Sequence, residues 1–355
     1  MLRLKLLIAV LGLCAGGLWF ARELDRQMDR PAASNVPVRI EIKPGEPLRS
    51  ILLHLQRLGA MPHARMIQWY LRLHRQRPRV QAGAYEIAPH ASARAVLEQF
   101  IAGRVVLEQI TIVEGWTFAQ LRQALDAQPD LVHELRGLTD AQLMRALGHD
   151  AQAAEGQFFP DTYRFAAGTT DRRILELAYE RMQRELEQAW AQRAADLPLT
   201  DPEQALILAS IIEKETARED ERAKVAAVFV NRLNHGMRLQ SDPTVIYGLG
   251  SGYDGDIHTR DLVTDTPYNT YTRPGLPPTP IALPGAASLQ ATLHPAANDA
   301  LYFVATGNGD GSHQFSATLA EHDLALRAYL HKLGVPAHPH VQPTPAPAAA
   351  GQGSR

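Results

Sequence analysis

Glu213 is an acidic residue at the end of a strongly apolar segment. Residues 205–212 are almost entirely apolar, and Asp201 and Pro202 before them are typical of a helix start. Helical spacing places Glu213 on the apolar side, where a carboxyl group is poorly hydrated and its protonated form is favoured. Such a group can act as a general acid. Alternatively, Glu213 ends a buried helix and pairs with an arginine.

Glu215 is a second carboxylate in the same segment and therefore a rival for the acidic role. Arg218 follows it after three residues, which is the spacing of an ion pair on a helix surface. The sequence therefore predicts a solvated pair of Glu215 with Arg218 and leaves Glu213 as the candidate catalytic residue.

Four sequence motifs, in order, resemble those of one known family. They are Glu155-Gly-Gln-Phe-Phe-Pro-Asp-Thr-Tyr163, Leu208-Ala-Ser-Ile-Ile-Glu-Lys-Glu-Thr216, Leu239-Gln-Ser-Asp-Pro-Thr-Val-Ile-Tyr-Gly248, and Tyr268-Asn-Thr-Tyr271 followed by Gly275-Leu-Pro-Pro278. Together they resemble the endolytic murein transglycosylases, the MltG or YceG-like family. The resemblance runs from the N-terminal apolar segment to about Leu333.

The resemblance implies a peptidoglycan lytic transglycosylase. Such an enzyme cleaves the β-1,4 bond between N-acetylmuramic acid and N-acetylglucosamine without water and leaves a 1,6-anhydro end, thereby releasing or terminating nascent glycan strands. Glu213 would first donate a proton and then accept one, with neither a metal nor an organic cofactor. The implied partners are glycan strands, the inner membrane and the peptidoglycan synthases.

Seven further residues are candidates for substrate binding. The resemblance places three of them beside Glu213, although Asp242 alternatively only caps a short helix. A proline-stiffened loop supplies three more, and a hairpin near the C-terminus supplies one histidine, for which an exposed or structural role is the alternative. The candidates are Gln240, Asp242, Tyr247, Tyr268, Asn269, Tyr271 and His313.

Two other functions compete with this one. In the first, the chain is a glycoside hydrolase of the same substrate, with Asp242 or Glu215 activating water. In the second, it is a non-enzymatic cell-wall-binding scaffold in which Glu213 is structural.

The composition excludes two other features. The formal net charge of -2 provides no basic surface for nucleic acid, and a single cysteine, Cys14, excludes an internal disulfide.

The N-terminus contains an apolar run at residues 6–21, predicted to be a transmembrane anchor, with a cleaved signal peptide as the alternative. The flanking positive charges nearly balance, so orientation follows from the resemblance, which puts most of the chain in the periplasm and residues 1–5 in the cytoplasm. A linker is predicted at 22–37, and a disordered Pro/Ala-rich tail at 336–355.

The expected fold class is α+β. Strands at 38–43 and 83–87 with two helices between them resemble a LysM-like βααβ module at 38–105, which is either a glycan-binding module or a spacer. The aromatic residues Trp69 and Tyr70 in its second helix are expected in the core, with a sugar-binding platform as the alternative. A connecting strand and helices follow at 106–154, and a mainly helical catalytic domain with a small sheet covers 155–335.

Overall fold

The structure is a computed structural model that describes residues 2–43, 45–76 and 78–334. It divides into two compact units. The first comprises Met1–Val113, Ala119–Ala153 and Pro160–Tyr179, and the second comprises Glu114–Phe118, Ala154–Phe159 and Glu180–Arg355. The predicted boundary at residue 155 does not separate them, because residues 160–179 belong with the first unit. The predicted tail, 336–355, lies outside the described residues.

Helix α1 covers Leu2–Asp29, so residues 22–29, predicted as linker, are helical. Its last turns bury Leu24 and Met28 in the core of the first unit. The membrane-spanning helix predicted at 6–21 is not found: among the described residues, no helix is both long and apolar enough to cross a membrane. The apolar run falls short of the roughly 20 residues that a span needs, and the turns after it carry charged residues.

The βααβ order predicted for residues 38–105 is confirmed, and a further helix follows it. Strands β1 and β2 pair antiparallel, with Val38 opposite Ile87. The elements are β1 (Val38–Ile42), α2 (Leu48–Arg57), α3 (Ala64–Leu73), β2 (Gly83–Ile87) and α4 (Ala93–Ile101).

Helix α3 buries one of the two aromatic side chains expected in the core. Ile67, Tyr70 and Leu71 are buried, whereas Trp69 is 56 % exposed. Because one residue rotates a helix by about 100°, the face that contains Ile67, Tyr70 and Leu71 leaves Trp69 on the opposite side. The prediction was confirmed for Tyr70 and wrong for Trp69.

The first unit also contains a second pair of strands. Strand β3 (Leu107–Thr111), the strand expected within 106–154, pairs antiparallel with β4 (Thr162–Ala166), which the sequence analysis missed, and Ile110 lies opposite Tyr163. The motif at 155–163 therefore leads into a strand. Helices α5 (Phe118–Ala127) and α6 (Asp140–Ala146) lie between these strands in sequence.

The second unit is mainly helical, and the α+β class is confirmed. Helix α7 (Asp171–Ala191) starts in the first unit and ends in the second. Helix α8 packs against α12 and α9 around a core that includes Leu206, Phe229 and Leu293. The predicted C-terminal hairpin is found as β5 paired with β6. The elements are α8 (Pro202–Glu215), α9 (Glu219–Asn234), α10 (Asp242–Leu249), α11 (Thr259–Val263), α12 (Ala286–Leu293), β5 (Tyr302–Ala305), β6 (His313–Ser316) and α13 (Leu319–Lys332).

Candidate active site

Helix α8 positions Glu213 at the boundary between the core and solvent. The carboxylate of Asp201 accepts the backbone N–H of Gln204 at 2.9 Å, which caps the start of the helix as predicted. Residues 205–212 are all buried, and Glu213 is the first partly exposed side chain after them. The helix therefore brings one carboxyl group from a dry core to an accessible edge.

The Glu213 carboxylate is held by the backbone before α12. The N–H of Gly285 donates a hydrogen bond to Glu213 Oε2 at 2.9 Å. Gly285 itself is buried, and a Cβ at this position would collide with the carboxyl group of Glu114. Any larger residue at position 285 would have to displace the end of Glu114, so two carboxyl groups converge on this glycine.

The segment that carries Glu114 is fixed by three hydrogen bonds. Gly115 N–H donates to Leu283 O at 2.9 Å, and Leu283 N–H donates to Trp116 O at 2.7 Å. Lys214 Nζ, from α8, donates to Gly115 O at 3.2 Å. These bonds join residues 114–116 to both the end of α8 and the loop before α12.

Glu114 is an exposed residue whose carboxyl end nevertheless turns towards Gly285. Loss of hydration raises the pKa of Glu114, and the charge of Glu213 raises it further. The charge of Glu219 also raises the pKa of Glu114, whereas the charge of Arg222 lowers it. The ionisation of Glu114 therefore depends on the charge of Glu213.

Glu215 does not form the solvated pair predicted for it. Its Oε1 accepts the hydroxyl of Ser241 at 2.5 Å, and burial raises the pKa of Glu215 to about 7. Arg218 instead pairs with Asp220 at 2.7 Å. The Glu215 side chain points inward, a direction that helical spacing alone does not determine.

Gln240, Asp242 and Tyr271 lie together next to Glu215. The hydroxyl of Tyr271 donates to Asp242 Oδ1 at 2.6 Å. Burial raises the pKa of Tyr271, and the charge of Asp242 adds to this effect. Ser241 occupies the N-cap position of α10, so the capping role considered for Asp242 is not the one observed.

Gln240 has a left-handed backbone with φ of 51°, which is uncommon for a residue with a side chain. Its N–H donates to Thr270 O at 3.2 Å, and Arg232 Nη1 donates to its Oε1 at 3.4 Å. Arg232 also donates to Leu239 O at 2.7 Å. The strained residue is thus held in place from two sides.

Tyr247 and Tyr268 form an aromatic pair. Their ring centroids are 4.8 Å apart in an edge-to-face arrangement. Tyr247 donates its hydroxyl to Glu155 Oε2 at 3.1 Å, and Glu155 also accepts the N–H of Phe118 at 2.9 Å. The first residue of the 155–163 motif thus supports Tyr247 and the start of α5.

Asn269 and His313 have structural partners. Asn269 is 1 % exposed, and its amide donates to three backbone carbonyls, of Asp261, Leu262 and Thr264. His313 Nδ1 lies 2.8 Å from Glu221 Oε2. The structure therefore gives Asn269 the task of shaping its loop and ties His313 to α9.

A cavity of about 870 Å³ lies elsewhere in the second unit. It is lined mainly by residues of β5, β6 and α13, among them Ala305, Gln314 and Tyr329, and by none of the predicted site residues. Across residues 2–43, 45–76 and 78–334, no group of three His, Cys, Asp or Glu side chains could hold a metal ion.

Sequence reasoning missed Glu114 and Gly285. Glu114 was assigned to a connection between domains, about 100 residues before Glu213. The sequence signal here is local only, since Gly115 after Glu114 suggests a turn, which the structure has with φ of 75° at Gly115. Gly285 is part of a Pro-Gly pair that suggested only a turn.

Comparison with known proteins places the chain in a family. The model of the YceG-like family matches residues 40–328. The chain belongs to this family. A YceG-like protein from Listeria monocytogenes has a similar crystal structure, with a TM-score of 0.51 and 29% sequence identity over 82% of this chain and 99% of that one.

Two relatives of this YceG-like chain carry the name endolytic murein transglycosylase. The protein from Bacillus subtilis (strain 168) is 29% identical over 314 residues, covering 84% of this chain and 86% of the relative. The protein from Streptococcus pneumoniae serotype 2 is 26% identical over 351 residues, covering 89% of this chain. The chain spans 63% of the length of that second relative.

Proposed function

We infer that this chain is an endolytic murein transglycosylase, a lyase that acts on peptidoglycan. Its family and the activity named for its relatives support this function. The observation that carries the assignment of the reacting group is the carboxyl of Glu213, which ends a buried helix and accepts the Gly285 N–H at 2.9 Å. A carboxyl group fixed at an accessible edge of a dry core suits general acid catalysis.

Glu213 serves both proton transfers in the proposed reaction. Its proton passes to the glycosidic oxygen while the bond from that oxygen to C1 of N-acetylmuramic acid breaks, and N-acetylglucosamine leaves with a free hydroxyl. The 6-hydroxyl oxygen of the muramic acid then bonds to C1, and its proton returns to Glu213. The product has a 1,6-anhydro end, no water is consumed, and the carboxyl group regains its starting state.

The glycan contacts proposed for the site come from the two polar clusters beside α8. Gln240 and Asp242 are exposed, and Tyr271 orients Asp242. Tyr247 and Tyr268 offer an aromatic edge on which a sugar ring can pack. We assign Asn269 and His313 to the support of these surfaces rather than to direct contact.

Hydrolysis of the same bond is the second candidate function. It needs a carboxylate to activate water, and Asp242 and Glu215 were the candidates. Glu215 accepts a hydrogen bond from Ser241, and Asp242 accepts one from Tyr271. Transglycosylation is favoured because the relatives are named transglycosylases and the proposed reaction needs only Glu213.

Product analysis tests the proposal. The purified full chain is incubated with nascent, un-crosslinked glycan strands, and the new chain ends are identified by mass spectrometry. We expect 1,6-anhydro ends without added water. Ends that carry one water molecule would identify a hydrolase, and uncleaved strands with retained binding would identify a scaffold.

Glycan binding by the βααβ module is a further part of the proposal. Trp69 is exposed, and the guanidinium of Arg72 lies 5.7 Å from the centre of its ring. Exposed aromatic rings can stack on sugars. Calorimetric titration of the full chain and of Trp69→Ala with glycan fragments tests this role, and equal heats for the two proteins would favour the spacer function.

We also propose that the catalytic part works outside the cytoplasm, in contact with the inner membrane and the peptidoglycan synthases. The substrate of the family is extracytoplasmic, and helix α1 exposes Leu11, Leu13, Leu18 and Trp19. These side chains suit contact with lipid. Flotation of the full chain with vesicles of phosphatidylethanolamine and phosphatidylglycerol, compared with a Leu13→Asp/Leu18→Asp variant, tests the contact.

A further inference from the structure

Two carboxyl groups meet at the backbone of Gly285. Glu213 accepts the Gly285 N–H at 2.9 Å, and Glu114 occupies the space into which a Cβ of residue 285 would project. Standard backbone dimensions then limit the separation of the nearest Glu114 and Glu213 oxygens to about 8 Å. Glu114 is thus a neighbour of the proposed acid, although it is 99 positions away in sequence.

The charges around this pair come from three further residues. Lys214 is committed to Gly115 O, and Glu219 in the first turn of α9 adds a negative charge. Arg222 is 7 % exposed, and its Nε is buried without a hydrogen-bond partner in the described part of the chain. The charge of Arg222 favours the ionised form of Glu114 and therefore opposes the effect of Glu213 and Glu219 on the pKa of Glu114.

We propose that Glu114 and Glu213 form a coupled carboxyl pair at Gly285, in which Glu114 is a positioning residue whose charge favours the form of the pair that can donate a proton to the glycosidic oxygen. Two negative charges this close to each other repel, so the pair as a whole gives up its last proton less readily than an isolated carboxyl group would. The role rests on the proposed transglycosylase function. It adds a second acidic residue to the reaction but no second chemical step.

The pH dependence of glycan cleavage tests the pair. In Glu114→Gln the repulsion disappears, and we expect the alkaline limb of the pH–rate profile to move to lower pH by about one unit. Glu114→Asp keeps the charge and should retain most of the wild-type limb. Glu187→Gln, at an exposed position on α7, is the matched control and should leave the profile unchanged.

Gly285→Ala moves the Glu114 carboxyl without removing its charge. Gly285 has φ of -81°, which alanine adopts readily, and the variant keeps the N–H that binds Glu213. The added methyl group must displace the flexible end of Glu114. We expect the alkaline limb to shift in the same direction as in Glu114→Gln.

An infrared titration measures the proton independently of turnover. In a Glu203→Gln/Glu215→Gln background, which removes two other carboxyl groups whose pKa is raised by burial, the band of a protonated carboxyl should persist to higher pH than when Glu114 or Glu213 is also replaced by Gln. The proposed pair would be overturned if the band titrated identically with and without these replacements and if the pH–rate profiles of the variants differed from the wild type only by a constant factor. Absence of 1,6-anhydro ends with the wild-type chain would instead refute the proposed function.

Discussion

The hydroxyl of Ser241 donates a 2.5 Å hydrogen bond to the carboxyl group of Glu215, two residues beyond Glu213. Burial is the main cause of the rise in the pKa of Glu215 to about 7, and the Ser241 bond opposes that rise because it stabilises the charged form. The end of α8 therefore carries one carboxyl group at the accessible edge and a second one inside.

The free energy of unfolding should fall as the pH rises, because of Glu215. The pKa of Glu215 rises from 4.5 to about 7 on folding. The contribution of Glu215 to stability is therefore fully present below pH 4.5 and is lost as the pH rises through 7. Urea titrations between pH 4.5 and 8 should show a decrease in the free energy of unfolding of up to about 3 kcal/mol from this group. Glu215→Gln should have a flatter dependence, and an equal slope in both proteins would contradict the prediction.

Glu213→Gln should fold and fail to cleave. The amide can still accept the Gly285 N–H through its oxygen, so the local structure is retained. Loss of the ionisable group should reduce the cleavage rate by about 100- to 10,000-fold. Glycan strand length is followed by chromatography, with Glu187→Gln as control. Cleavage at the wild-type rate would remove Glu213 from the mechanism.

Replacement of Gln240 should separate backbone strain from substrate binding. Glycine relieves the left-handed conformation at φ of 51°, whereas alanine keeps it, so Gln240→Gly should be more stable than Gln240→Ala by about 1 kcal/mol. Both lose the amide and should show a raised KM for glycan strands. If both variants bind strands as the wild type does, Gln240 is not a substrate contact.

Gly156 should resist substitution more than Gly148, another glycine with positive φ. A Cβ at residue 156 would lie 2.5 Å from Cγ of Pro280, whereas one at Gly148 meets no atom within 4 Å. Both residues have left-handed backbones, with φ of 82° and 88°. Thermal unfolding should therefore show a greater loss for Gly156→Ala than for Gly148→Ala by about 1–3 kcal/mol. Similar losses would mean that Pro280 moves freely.

Local signals predicted much of the fold. Asp201 and Pro202 marked the start of α8, the alternation at residues 38–42 marked β1, and the order of the βααβ module followed from such patterns. Strand β4 was missed because aromatic residues near Tyr163 suggest packing without specifying an extended partner. Its pairing with β3 depends on residues about 50 positions earlier, which local periodicity cannot reveal.

The sequence predicted a site residue only where an ionisable side chain also stands at a recognisable position in a helix. Glu213 is such a residue, because it is acidic and directly follows the apolar segment of α8. Glu215 was misjudged because a helical wheel gives the face of a residue but not the partner that its side chain reaches, here Ser241 on a later segment. Glu114 could not be placed from the sequence, since only folding brings it to Gly285.

Residues 114–118 belong to the second unit, although the chain on both sides of them belongs to the first. Any shortened version of the protein that starts at residue 155 would thus discard Glu114 and the Gly115–Leu283 bond while keeping every recognised motif. Biochemical work on an isolated C-terminal piece would then report on an incomplete centre, however well that piece was expressed.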